Sequence, residues 1–250
     1  MTTILFGDVH GEAAKLRSLI GEARSRWGDC TFYGLGDFID RGPDSKGVIQ
    51  LCVDEGVQGI LGNHELWFHQ LLNTGVFNRA ALHPVMGGVA TLDSYDIVEP
   101  TGLGGVPASH RRFILDLPLF RSVGVAGTTY WLTHAGISPV VGKAVWKAVL
   151  DQMSRHGLTE ADAPEKIIPE AVAQQNPDEI LWMHVKATDP NLYVFPHGGV
   201  QVFGHTPLKA AIDGGHFIAL DTGCGLKRKP NCLSAVALHE DGSRTLFTSL

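Results

Sequence analysis

Thr3-Ile4-Leu5-Phe6-Gly7-Asp8-Val9-His10-Gly11 sets the pattern for the chain. A β-prone run stops at a polar loop bounded by glycines, and from Glu12 to Trp27 the apolar positions Ala13, Leu16, Leu19, Ile20 and Ala23 recur at helical spacing. The same unit then repeats. Thr31 to Leu35 leads into Gly36-Asp37-Phe38-Ile39-Asp40-Arg41-Gly42, with a helical stretch from about Asp44 to Glu55. Val57 to Leu61 leads into Gly62-Asn63-His64-Glu65, and Leu66 to Leu72 continues as helix. Three strand, loop and helix units in succession predict an α/β sheet, whose ligands sit beyond the carboxyl ends of the strands, where each polar loop falls.

Beyond them, glycines and prolines break any long periodicity between Asn73 and Leu117, which reads as loops and short helices lying over the site. Phe120 to Val125 and Thr129 to Thr133 read as strands about a Gly127 turn, the second ending at His134-Ala135-Gly136. Pro139 to His156 is helical in pattern, and Glu160 to Glu179 suggests a broken helical insertion. Val200 to Phe203 leads to Gly204-His205-Thr206-Pro207, while Phe217 to Asp221 and Leu233 to Leu238 read as strands closing a second sheet. The expected organisation is one domain, 1–250, with cap-like insertions at about 73–117 and 157–180.

A chain of 250 residues, 44% hydrophobic and 18% charged, can bury a substantial core and is not disordered. Its formal charge of -6 gives no general reason to bind extended nucleic acid or an acidic membrane, so phosphate binding has to come from a local site. Cys30, Cys52, Cys224 and Cys232 are spaced like neither a disulfide scaffold nor a zinc knuckle and read as reduced thiols. No apolar run is long enough to cross a bilayer, and the first residues lack the character of a secretion signal. The expected location is cytoplasmic.

Asp8, His10, Asp37, Asn63, His134 and His205 each occur just after a strand-like run, beside glycines that permit tight turns. Singly, each has an ordinary reading: a turn-capping aspartate, an asparagine in a left-handed turn, a hydrogen-bonded histidine. Together, their carboxylate, imidazole and amide donors suit Mn²⁺, Fe²⁺ or Zn²⁺ better than a thiolate-selective ion. Asp37 has two oxygens with which to bridge a pair of metals.

The three loop blocks, with His134-Ala135-Gly136 and Gly204-His205, resemble the signature blocks of the calcineurin-like metallophosphoesterases, in their phosphoprotein phosphatase branch. That branch holds bacterial and phage-type serine/threonine protein phosphatases and symmetrical diadenosine tetraphosphate hydrolases. The resemblance implies a four-layer α/β/β/α sandwich with loop and short-helix cap elements. It also implies two divalent ions, Mn²⁺ first and Fe²⁺ or Zn²⁺ as alternatives, one held by Asp8, His10 and Asp37 and the other by Asp37, Asn63, His134 and His205. A metal-bridging hydroxide would be the nucleophile, His64 the general acid oriented by Asp40, and Arg41 the phosphate clamp. The plain alternatives are a His64 and Asp40 pair that only ties two loops, and an Arg41 ion pair on a solvated loop. Glu65 reads as a helix-start stabiliser.

The second arginine usual in protein phosphatases has no counterpart in Leu181-Trp182-Met183-His184-Val185-Lys186. His184 or Lys186 could stand in, or Arg111 and Arg112 could reach the site. Lys227, Arg228 and Lys229 form the only dense basic run and read first as a solvated turn. The five tryptophans read mostly as packing residues, and Cys224 as structural. These residues predict a dinuclear-metal phosphomonoesterase similar to a serine/threonine protein phosphatase, acting on a phosphorylated protein or small phosphate ester. Its rivals are a symmetrical bis(5'-nucleosyl)-tetraphosphatase, for which a dinucleoside polyphosphate is the partner, and a non-catalytic phospho-ligand binding protein.

Overall fold

The first strand decides the layering, because neighbouring residues on a strand face opposite sides of its sheet. In the computed structural model, which describes residues 1–98, 100–156, 167–184, 191–196, 198–228 and 230–249, strand β1 (Thr2–Phe6) sends Ile4 and Phe6 into one hydrophobic cluster and Leu5 into another. Both faces of the sheet are therefore buried, and the helices supply one of the covers. Helices α1 (Ala13–Trp27) and α2 (Ser45–Asp54) bury Leu16, Leu19, Ile20, Val48 and Ile49 against the Ile4 face. Asp44 starts α2 by accepting a hydrogen bond from the Gly47 amide at 2.7 Å.

Strands β2 (Cys30–Gly34) and β3 (Gln58–Gly59) extend β1 in parallel. The third strand is shorter than the run Val57 to Leu61, because beyond Gly59 the chain leaves the ladder and Leu61 N–H bonds to Pro118 O at 2.8 Å. Helix α3 (Asn63–Thr74) starts on the loop block itself, ahead of Leu66. Two short 3₁₀ helices (Arg79–Leu82 and Pro100–Gly105), α4 (Gly88–Ser94) and α5 (Ala108–Leu115) follow. This stretch covers the site at Gly87 and Thr91, but Tyr95, Ile97, Val106 and Ile114 also join the core beneath α3.

The second sheet is built from β4 (Phe120–Val125), β5 (Thr128–Thr133), β6 (Val200–Phe203), β7 (Ile212–Asp213) and β8 (Phe217–Ala219), in the order β4-β5-β6-β8-β7. Between β5 and β6 come α6 (Pro139–His156), α7 (Ile168–Ala173) and α8 (Pro177–Leu181). Val141, Val145 and Val149 of α6 pack with Trp131 on the outer face of this sheet, while Tyr130, Leu132, Val202 and Ile218 face Leu5 and Leu35 of the first sheet. The layers therefore run helix, sheet, sheet, helix.

One assignment from sequence is corrected. β9 (Leu233–Leu238) does not close the second sheet but pairs antiparallel with β1, Thr3 opposite Leu238, and carries β10 (Arg244–Ser249) on its outer side. Its alternation explains the position: Leu233, Ala235 and Ala237 fill the helical side, while Val236 and Leu238 fill the space between the sheets. Among the described residues no helix is long and apolar enough to cross a membrane, and the four cysteines are free thiols.

Candidate dinuclear metal site

β1, β2, β5 and β6 end on the same side of the sandwich, and the loops that follow deliver Asp8 and His10, Asp37 to Arg41, His134, and His205. The first two loops are locked edge to edge. Val9 and His10 N–H donate to Asp37 O at 2.9 and 2.8 Å, Gly11 N–H donates to Phe38 O at 2.9 Å, and Gly42 N–H returns to His10 O at 2.9 Å.

The third loop is fastened to the second through Glu65. Its Oε2 accepts from the amides of Asp37 (2.7 Å) and Gly62 (3.0 Å), and its Oε1 from Phe38 (2.8 Å) and Ile39 (3.2 Å). Glu65 thus stabilises the start of α3, as expected, and also holds the backbone of the neighbouring loop. The approach leaves no room at Gly62, where a Cβ would fall 2.2 Å from Asp37 Oδ1. His10, Asp37, Asp40, Arg41 and His205 all have φ between 47° and 72°, the left-handed region, which costs a residue with a side chain roughly 1–2 kcal/mol. The interlocking amides hold this strain in place.

Asp37 is central. His10 Nε2 lies 3.5 Å from its Oδ2 and His134 Nε2 lies 3.4 Å from its Oδ1. Asn63 Oδ1 is 2.8 Å from His134 Nε2 and 3.0 Å from His205 Nδ1. Among the described residues, two sets of three His or Asp ligand atoms lie within 4.8 Å of one another: His10, Asp37 and His64, and Asp37, His134 and His205, with Asp37 common to both. Asp8 stands at the edge: its two oxygens each accept from the His205 amide at 3.2 Å, and Oδ2 is 3.9 Å from His10 Nε2.

The imidazoles are oriented from behind. His10 Nδ1 donates to Ile39 O at 3.0 Å and His134 Nδ1 to Leu35 O at 2.8 Å, so that Nε2 is in each case the nitrogen turned inward. Burial and neighbouring His64 hold His10 well below the usual imidazole range, leaving a lone pair on that nitrogen. For His134, burial is outweighed by the Asp37 carboxylate, which carries it up to about 10. Burial resists ionisation of Asp37, yet His134 and His64 hold its carboxyl well below the ordinary value. Burial and Asp221 push Asp8 up, and burial with His134 brings His205 down to about 3. Carboxylate and amide oxygens and imidazole nitrogens converge here around Asp37, with the His134 proton and the Arg41 guanidinium as the positive charge beside them, and divalent cations would take the place of that charge. The oxygen and nitrogen donors, without sulfur, fit Mn²⁺, Fe²⁺ or Zn²⁺.

His64 Nδ1 bonds to Asp40 Oδ2 at 2.8 Å; Trp67 Nε1 donates to the same oxygen at 2.9 Å and Thr91 Oγ1 to Oδ1 at 2.6 Å. Arg41 spreads its guanidinium over the site, one nitrogen on His10 Nε2 and the other 3.0 Å from His64 Nε2. The remaining substrate-side candidates divide. The His184 ring lies 5.1 Å from that of His205, at the rim. Arg111 is bonded to Leu103 O, and Arg112 lines a separate hollow with Cys52 and Phe113, so α5 directs both away from the donors. Lys186 falls outside the described residues. Trp182, 42% exposed with its ring 6.0 Å from that of His205, is a rim residue, unlike the buried Trp67 and Trp131.

The family model for the calcineurin-like phosphoesterases matches residues 1–214. A symmetrical bis(5'-nucleosyl)-tetraphosphatase of Paracidovorax citrulli is 23% identical over 94% of this chain and 92% of its own. The crystal structure of a candidate diadenosine tetraphosphatase superposes with a TM-score of 0.61 at 20% identity, covering 100% of this chain and 94% of that one. A protein serine/threonine phosphatase from Saccharomyces cerevisiae superposes with a TM-score of 0.56 at 14% identity, covering 100% and 79%. The chain belongs to the calcineurin-like phosphoesterase family and is a metal-dependent hydrolase of phosphate esters.

Proposed function

We propose that this calcineurin-like phosphoesterase hydrolyses dinucleoside tetraphosphates symmetrically, releasing two nucleoside diphosphates. The observation that carries the reading is a groove of ≈ 700 Å³ opening at Arg41, whose other walls include Leu82, Pro84, Val85, Val89 and Leu226. A cationic fork in a groove whose walls are mostly apolar, with Lys227 and Asp93 as its other charged members, suits a phosphate chain that ends in a nucleoside. The relative from Paracidovorax citrulli, aligned over nearly the whole chain, supports the same substrate class. A phosphoprotein substrate, the first expectation from sequence, takes second place, because Arg111 and Arg112 lie apart from the donors and supply no second clamp.

Asp8, His10 and Asp37 would hold one divalent ion, and Asp37, Asn63, His134 and His205 the other. When bound, such a pair lowers the pKa of coordinated water and neutralises phosphoryl charge. The chain's own groups supply the rest. Arg41 binds non-bridging oxygens of the phosphate undergoing attack, and entry of that phosphate draws its guanidinium from the two imidazoles. His64, held at Nδ1 by Asp40, then delivers a proton from Nε2 to the bridging oxygen that leaves with one nucleoside diphosphate.

The test is turnover of protein reconstituted in parallel with Mn²⁺, Fe²⁺ or Zn²⁺, given diadenosine tetraphosphate and a phosphoserine/phosphothreonine peptide, with products identified. Two molecules of ADP formed in preference to peptide-derived phosphate is the expected result. Rapid phosphate release from the peptide with the dinucleotide left intact refutes the proposal.

A further inference from the structure

The loop that carries Lys227 and Arg228, read from sequence as a solvated turn, approaches the site at Gly225. A Cβ on Gly225 would stand 2.5 Å from His10 Cβ and 3.5 Å from Arg41 Cβ, so the backbone after β8 passes over both residues. The loop is anchored at its base. Gly223 N–H donates to Asp221 Oδ1 at 2.8 Å, Leu226 N–H to Gly223 O at 3.0 Å, and Gly225 N–H to Asn231 Oδ1 at 3.1 Å; Lys15 fixes that asparagine at 2.7 Å.

Its two flanks wall different hollows. Gly225, Leu226 and Lys227 face the groove that opens at Arg41. Gly223, Arg228 and Pro230 line a second hollow of ≈ 250 Å³ with Pro207, Leu208 and Lys209, two to four residues beyond His205. Among the described residues Lys209, Lys227 and Arg228 make no ion pair. The loop therefore presents one unpaired cation to each hollow, and each hollow holds a further cation on its other walls, Arg41 in the first and Lys209 in the second.

We infer that the loop of residues 223–228 divides the substrate site in two and sets the position of cleavage along a polyphosphate chain. Resting on the function proposed above, Arg41 and Lys227 hold one nucleoside diphosphate half of a dinucleoside tetraphosphate, and Lys209 and Arg228 hold the other. Two phosphates on each side bring the central P–O–P link to the donors. Hydrolysis adds water across that link: the water oxygen bonds to one central phosphorus, its bond to the bridging oxygen breaks, and the bridging oxygen leaves on the second nucleoside diphosphate. A chain displaced by one phosphate would instead give a nucleoside triphosphate and a monophosphate.

The experiment compares wild type, the double variant Lys209→Ala/Arg228→Ala and the charge-retaining Arg228→Lys. Calorimetry gives Kd for a methylene-bridged, non-hydrolysable dinucleoside tetraphosphate, and chromatography gives the products from diadenosine tetraphosphate with metal-loaded protein. The double variant should bind about tenfold more weakly, equivalent to about 1.4 kcal/mol, and should release ATP and AMP beside ADP, while Arg228→Lys keeps both properties near wild type. Wild type that yields two ADP, with a double variant of unchanged Kd and product ratio, overturns the divider alone. Wild type that leaves the dinucleotide intact overturns the proposed function, and this inference with it.

Discussion

Replacing Asp40 with asparagine removes one buried charge and leaves every contact around it available. The carboxylate accepts from His64 Nδ1 and Trp67 Nε1 on Oδ2 and from Thr91 Oγ1 on Oδ1, and the residue is wholly buried. An asparagine oxygen in the Oδ2 position still accepts both N–H groups. Its amide can donate to Thr91 Oγ1, whose own proton then turns to Ser45 Oγ, 3.0 Å away. Stability should change by less than about 1 kcal/mol, because geometry is kept and a buried charge is removed. The protonated form of His64, by contrast, loses the attraction of a carboxylate. Two unit charges about 4 Å apart in an effective dielectric of about 20 attract by about 4 kcal/mol, so proton delivery by this pair loses at most a factor of about 10³. That loss matters only where the leaving oxygen needs a proton. Across aryl and alkyl phosphates, kcat/KM of Asp40→Asn should fall by up to about 10³ for the alkyl esters and by less than about tenfold for 4-nitrophenyl phosphate. An equal fall for every leaving group refutes proton delivery by this pair. A large drop in Tm together with metal loss would assign it to tying the loops instead.

Asp37→Asn should lower bound metal from two ions per chain to fewer than one, read by elemental analysis, and abolish hydrolysis in parallel, because both groups of donors share this carboxylate. Glu65→Ala leaves four buried amides without an acceptor. At about 1–3 kcal/mol for each unsatisfied donor, the loss should exceed about 4 kcal/mol, or about 8–16 °C in Tm by calorimetry. Removing metal with a chelator should lower Tm by roughly 10–20 °C, since each ion present at about a hundred times its Kd stabilises the folded state by about 2.7 kcal/mol. An unchanged Tm would show that the donors do not retain ions in the folded protein.

Most of the candidate donors are legible in the sequence because they follow recognisable strand ends, whereas Asn63 opens α3 four residues past β3. Phe6, Gly34, Thr133 and Phe203 close β1, β2, β5 and β6, and Asp8, Asp37, His134 and His205 come within three residues of them. Strand periodicity and glycine placement were sufficient to locate the loops. The sheet to which β9 belongs was not legible, since Leu233, Val236 and Leu238 would satisfy either sheet and the pairing with β1 spans more than 200 residues. Trp182 has the composition of a core residue, and its exposure depends on where α8 ends beside His205. A carboxylate three residues after Gly62 is a familiar helix start, so in sequence Glu65 points only to its own helix. Its three further donors come from Asp37, Phe38 and Ile39, a relation that exists only once the second and third loops are side by side.

The left-handed residues follow from that same closeness. His10, Asp37, Asp40, Arg41 and His205 could each relax if replaced by glycine, but a glycine would carry no donor or charge. The loops instead keep the functional side chains and offset the backbone cost with contacts between loops: His10 and Asp37 through their shared amides, Asp40 N–H through Ser45 and Thr91, and Arg41 N–H through Gly87 O at 3.2 Å. Stability and chemistry are thus coupled at the level of the backbone. A change that frees one loop, at Glu65 or at Gly62, should displace donors from several loops at once, so metal content is a more direct measure of these loops than the stability of the sandwich beneath them.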